Sequence, residues 1–133
     1  MTAHKPASLN LTNQYNAIPH ITSVAAVRGR SGMYVYGAAK ALASHWLTGL
    51  RHELFVTAPK VRIIEIRPGP IATPMTAGLT MPLTATVGDI QISLVKACAH
   101  ANGIVYLPGI WRLIMGIMAH LPGWVWHRLR LGA

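Results

Sequence analysis

The sequence predicts an α/β fold of about three parallel strands with helices packed over them in three layers. Two apolar, β-branched runs flank a helical stretch between Ala17 and Pro68, which is a strand, helix, strand unit. Hydrophobic residues make up 52% of the 133-residue chain and charged ones only 11%, as expected where strands are covered on both faces. A cluster of Pro and Gly from Pro68 to Pro74 then breaks the chain at the carboxyl end of the second strand. In open α/β sheets ligands sit at that end.

Residues 1–16, MTAHKPASLNLTNQYN, are polar and are expected to be disordered or loosely docked. They are neither signal peptide nor membrane span. AIPHITS follows as a buried strand ending near Ser23, and RGRSGMY as a glycine-marked loop. From about Tyr36 to Val56, Ala39, Leu42, Ala43, Trp46, Leu50 and Leu54 recur at helical period. VRIIEIRP (Val61 to Pro68) is the next strand, reached by a crossover that should be right-handed. The sequence from Ala77 to Thr86 has no strong period. A second helix is expected from about Val87 to Ala101, closed by Asn102 and Gly103, and then a last strand, GIVYLP.

The tail, residues 109–133, is a separate kind of segment. It is apolar almost all round from Ile110 to Leu121, and twelve helical residues span only about 18 Å, too short to cross a bilayer. Trp111, Trp124 and Trp126 with Arg128 and Arg130 are residue types that favour an interface. The tail therefore reads either as a core or oligomer helix pair or as a peripheral membrane contact or lid over an apolar substrate.

Composition excludes several classes. Twelve Lys and Arg stand against three acids, giving a formal charge of +9, but the bases are spread along the chain without a recognition-helix or stacking pattern. Nucleic acid is not an expected partner. The single Cys98 rules out an internal disulfide and a Cys-rich zinc site, and a reduced, cytoplasmic setting is the default. The seven histidines lack metal-ligand spacing. Arg28 and Arg30 read as solvated loop charges.

The chemistry lies in Ser23, Tyr36 and Lys40. Tyr36 and Lys40, four residues apart on a helix, project from one face one turn apart. A phenol titrates near 10 in water, and an ammonium held beside it favours the phenolate, so such a pair suits general acid or base work. Ser23, at a strand end, would hold a carbonyl or alcohol oxygen beside the phenol.

Ser23, the step to Tyr36, the Y-x-x-x-K of Tyr36 to Lys40 and the later IRPGPIATPM together resemble the short-chain dehydrogenase/reductase family. The resemblance covers roughly Pro19 to Leu131 and only the catalytic, C-terminal half of the family's domain. It implies a partial Rossmann-like fold, NAD or NADP as cofactor, and hydride transfer with an apolar carbonyl or secondary alcohol substrate. Tyr36 would exchange the proton, Lys40 would contact the nicotinamide ribose and ease loss of the phenol proton, and Ser23 would bind the substrate oxygen. Pro68 and Gly69 would let the backbone approach the nicotinamide, Ile71 would offer main-chain groups to its carboxamide, and Thr73 would add a hydroxyl.

The family's glycine-rich dinucleotide loop, its Asn-Asn-Ala-Gly strand and its catalytic Asn lie upstream of the Ser. Twenty-two residues precede Ser23 here and match none of them. The expectation is a truncated chain of doubtful activity alone, with weak cofactor affinity and an exposed sheet edge that makes it a homo-oligomer or the complement of another polypeptide. The alternative is a non-enzymatic remnant that associates with membrane or protein through its Trp/Arg tail.

Overall fold

The computed structural model describes residues 16–78 and 81–129. The expectation of disorder therefore falls on residues outside that range, Asn16 excepted. Three strands form one parallel sheet in the order β1 (Ala17–Ile21), β2 (Arg62–Pro68), β3 (Gly103–Leu107). Helix α1 (Tyr34–Thr57) joins β1 to β2, and α2 (Val87–His100) joins β2 to β3. The tail forms α3 (Ile110–His120) and α4 (Gly123–Arg128).

The central strand explains the layering. Side chains of β2 alternate between faces, and Ile63, Ile64, Glu65 and Ile66 are all buried, so both faces are covered. Ile64 and Ile66 join Ile90, Ala85 and Leu107 in one cluster against α2, with Leu94 and Cys98 beside them. Arg67, on the opposite face with Glu65, bonds Ser44 of α1. The two helices thus lie on opposite faces while the strands advance in one direction. The two crossovers consequently have opposite hands, and one of them departs from the usual right-handed rule.

Local sequence sets the boundaries. Thr86 and Asp89 form a reciprocal cap on α2, with Asp89 Oδ2 accepting from Thr86 N at 2.7 Å and Thr86 Oγ1 accepting from Asp89 N at 3.3 Å. At the other end the Arg62 guanidinium donates to the carbonyls of Ala101 and Ala99, a cation on the negative end of the helix. Helix α1 begins at Tyr34, one half-turn earlier than its apolar period suggests.

The tail is docked rather than appended. Arg28 Nη1 donates to the carbonyls of Met118 (2.7 Å) and Leu121 (2.6 Å), closing the C-terminal end of α3, and its guanidinium lies 4.7 Å from the Trp126 ring centroid. Trp126 returns a bond to the Gly29 carbonyl. Arg28 is therefore a tail clamp and not the solvated loop charge expected of it. Helix α3 is also two-faced: Trp111 and Met115 are buried, whereas Ile110, Leu113 and Ile117 are exposed. Among the described residues no helix is long and apolar enough to cross a membrane.

Candidate active site

Ser23 sits two residues beyond β1 and is nearly buried. Its Oγ accepts from Ala25 N at 3.1 Å, capping a short 3-10 turn, Val24–Ala26, and its own proton remains free to donate elsewhere. That turn lies against the first turn of α1. A Cβ on Gly37 would stand 3.0 Å from the Ala25 carbonyl oxygen, so the glycine sets how closely the two approach. Tyr36 and Lys40 are carried on the same part of the helix, with Lys40 Nζ 5.7 Å from the Tyr36 ring centroid. Tyr36 is 37% exposed and Lys40 half-buried, so phenol and ammonium face the edge of the site rather than the core.

The loop after β2 is built, not slack. Ala85 N donates to the Pro70 carbonyl and Ala72 N to the Ala85 carbonyl, which turns the N–H and C=O of Ile71 the other way. The Ile71 carbonyl then accepts from Thr76 Oγ1 at 2.6 Å. Thr73 caps the 3-10 turn Pro74–Thr76, its N donating to Thr76 Oγ1 at 2.9 Å. Pro68 ends β2 opposite Leu107, and Gly69 N donates to the Leu107 carbonyl.

Gly69 has a different reason from the one the sequence suggests. A Cβ there would fall 2.6 Å from Cε2 of Trp111, inside the indole ring. The tail, not a ligand, occupies the space that the missing side chain leaves. Trp111 is buried and its Nε1–H has no hydrogen-bond partner among the described residues.

A buried polar network not foreseen from sequence lies beneath the site. Glu65 is fully buried, and its Oε1 accepts from Arg67 Nε at 2.7 Å and from Thr22 Oγ1 at 2.9 Å. Arg67 also donates to Ser44 Oγ on α1 and to the Tyr106 hydroxyl on β3. Burial pushes the Glu65 carboxyl up, but Arg67 and the Ser44 and Thr22 hydroxyls beside it outweigh that and hold it below the ordinary range. Burial likewise works against the Arg67 charge, and the bonds it donates to Glu65 and Tyr106 outweigh that and favour it. The signal was present in the sequence: two opposite charges at i and i+2 within RIIEIRP share one face of a strand buried on both sides, and buried charge must be paired.

Comparison with known proteins agrees with this architecture. A solved short-chain dehydrogenase from Burkholderia cenocepacia J2315, in complex with NADP, superposes with a TM-score of 0.70 at 29% identity, covering 85% of this chain and 46% of that one. A 7α-hydroxysteroid dehydrogenase complexed with NADH and 7-oxo glycochenodeoxycholic acid superposes with a TM-score of 0.55 at 25% identity, over 70% of this chain and 43% of that one. Among curated proteins, an uncharacterized oxidoreductase of Mycobacterium tuberculosis is 36% identical over 110 residues, 81% of this chain and 43% of its own. Carbonyl reductase family member 4 of Danio rerio is 32% identical over 127 residues, 86% of this chain and 53% of its own. The chain thus spans about half the length of these relatives. The family model for short chain dehydrogenase matches residues 7–83, more than half of the sequence, and the chain belongs to that family.

Proposed function

We propose that this chain carries the Ser–Tyr–Lys part of an NAD- or NADP-dependent oxidoreductase acting on an apolar carbonyl or secondary alcohol. The observation that carries the reading is the approach of the Ser23-capped turn to the first turn of α1, where Tyr36 and Lys40 stand together. A bound nicotinamide would give hydride to a carbonyl carbon or accept it from an alcohol carbon. Ser23 would hold the substrate oxygen, Tyr36 would give or take its proton, and Lys40 would keep its ammonium beside the Tyr36 ring. Lys40, the outward main chain of Ile71 and the Thr73 hydroxyl would hold the nicotinamide end of the cofactor. Gly69 contributes less than its motif suggests, since Trp111 fills its open side. Relatives of known ligand support the cofactor class: one neighbour is complexed with NADP and another with NADH.

The test is carbonyl reduction with NADPH or NADH by the purified chain. Tyr36→Phe is expected to lower turnover by about 10²- to 10⁴-fold, the usual worth of a positioned acid–base group. Unchanged turnover in that variant would overturn the assignment. Cofactor binding by the chain alone is expected to be weaker than micromolar, because no glycine-rich phosphate loop is recognised in its sequence. Micromolar binding abolished by Lys40→Ala would refute that step.

The partner reading rests on α1. Val35, Leu42, Trp46 and Val56 form an exposed apolar line on the side opposite Ser44 and Leu47, which are buried against the sheet. We assign this line to a second copy of the chain or to a complementing polypeptide.

A second reading is favoured by the tail surface. Ile110, Leu113, Ile117 and Trp124 are exposed, and the Arg128 guanidinium lies 5.7 Å from the Trp124 ring centroid. Such a ridge on a chain of formal charge +9 suits peripheral contact with an anionic bilayer. Co-sedimentation with anionic liposomes, lost in Leu113→Asp/Ile117→Asp, together with no turnover in any preparation, would select this reading. No co-sedimentation would dismiss it.

A further inference from the structure

The Glu65–Arg67 pair touches both elements that carry the candidate site. On one side Glu65 accepts from Thr22, the residue immediately before Ser23. On the other, Arg67 bonds Ser44, which lies on the same stripe of α1 as Tyr36 and Lys40 at successive i+4 steps. The pair also reaches β3 through Tyr106, so it is braced from the far side of β2.

Stability alone is a poor explanation for such a pair. A fully buried carboxylate and a partly buried guanidinium give up hydration that their mutual attraction barely restores, and well-packed apolar residues often do as well or better. Here the pairing is also incomplete, since Glu65 Oε2 has no hydrogen-bond partner among the described residues. What the pair supplies that Ile or Leu could not is direction. Its bonds fix where the end of β1 and the face of α1 sit relative to β2.

We propose that the Glu65–Arg67 pair is a positioning device that sets the distance between Ser23 and the Tyr36/Lys40 stripe through Thr22 and Ser44. This rests on the oxidoreductase reading for its purpose, though not for its geometry. Neither charged residue touches the reacting atoms. Both act through the hydroxyls that they hold.

Arg67→Met would leave Glu65 buried without a counter-charge and is expected to unfold the chain. The neutral variants Thr22→Val and Ser44→Ala therefore carry the test, with Thr22→Ser and Ser44→Thr as hydroxyl-retaining controls. Two readouts are made on the full chain. The first is the NMR cross-peak between Gly37 Hα and the backbone of the Ser23-capped turn. It is expected to weaken in Thr22→Val and Ser44→Ala and to return in both controls. The second is turnover, expected to fall on the order of 10- to 10²-fold in kcat with KM unchanged, as misplacement of reacting groups does. Cross-peaks of unchanged intensity with a lower melting temperature would show the pair to be structural only. A chain with no turnover but with the expected cross-peak changes keeps the positioning inference and removes the oxidoreductase reading.

Discussion

Gly69→Ala separates two explanations of the same glycine. The backbone at Gly69 does not adopt a left-handed conformation, so alanine fits the main chain, and by narrowing the unfolded ensemble it should stabilise by about 0.4–1 kcal/mol. Against this stands Trp111. The new methyl would lie 2.5 Å from Cδ1 and 2.6 Å from Cε2 of a buried ring, well inside van der Waals contact. Overpacking of this kind costs about 1–3 kcal/mol, so the net expectation is a loss of roughly 1–2 kcal/mol. The ring cannot simply retreat, because α3 is tied at its far end by Arg28.

The decisive step is the second background. Trp111→Val removes all three indole atoms that the methyl would meet and should itself cost about 3 kcal/mol or somewhat more, as truncation of a large buried side chain does. In that background Gly69→Ala should turn from destabilising to neutral or stabilising, a coupling of about 1–3 kcal/mol across the cycle. Urea unfolding followed by far-UV circular dichroism reads all four corners. Equal costs of Gly69→Ala with and without the indole would refute the claim that the tail dictates this glycine.

Other expectations follow from the clamp and from the buried pair. Arg28→Lys keeps the charge but not the planar guanidinium that stacks on Trp126 while its Nη1 serves two carbonyls, so the α3 and α4 amides should exchange hydrogen faster, by about 1.5–3 kcal/mol of local opening. Unaltered protection in α3 would refute the clamp. For Glu65, whose carboxyl is held below the ordinary 4.5, the folded state favours the carboxylate. Its contribution is therefore complete above the unfolded value and is lost as pH falls through the lower folded one. Melting temperature should decline below about pH 4.5 for that reason. Glu65→Gln should be less stable at pH 7 and should show a shallower acid decline, and an equal slope in both proteins would contradict the assignment.

How much of this the amino-acid sequence alone specifies depends on the range of the interaction. The three strands, α1 and α2 were legible because their signals are local: Ile and Val runs bounded by Gly and Pro, a 3.6-residue period, and a Thr–Asp cap three residues apart. The placement of Tyr36 and Lys40 one turn apart on α1, and of Ser23 just beyond the strand before it, was legible because both follow from local spacing. Three features were not legible, and all join residues far apart in the chain. Arg28 meets Met118 and Leu121, Gly69 meets Trp111, and Thr22 meets Glu65. Nothing in the spacing of Thr22 and Ser44 announces a common partner, although the charge pair inside RIIEIRP announces that some partner must exist.

The hand of the crossovers belongs to the same class. A local rule makes each strand, helix, strand unit right-handed and would place α1 and α2 on one face of the sheet. The sequence of β2 already resists that outcome, because Ile64 and Ile66 need an apolar cover on one face while Ile63 needs one on the other. A central strand that is buried on both faces, with only two long helices among the described residues, is covered when those helices divide between the faces. Burial of β2 and the right-handed rule therefore compete in these residues, and burial prevails. The division also puts α1 on the face where Glu65 and Arg67 point, so the buried pair meets the helix that carries Tyr36 and Lys40, and not α2.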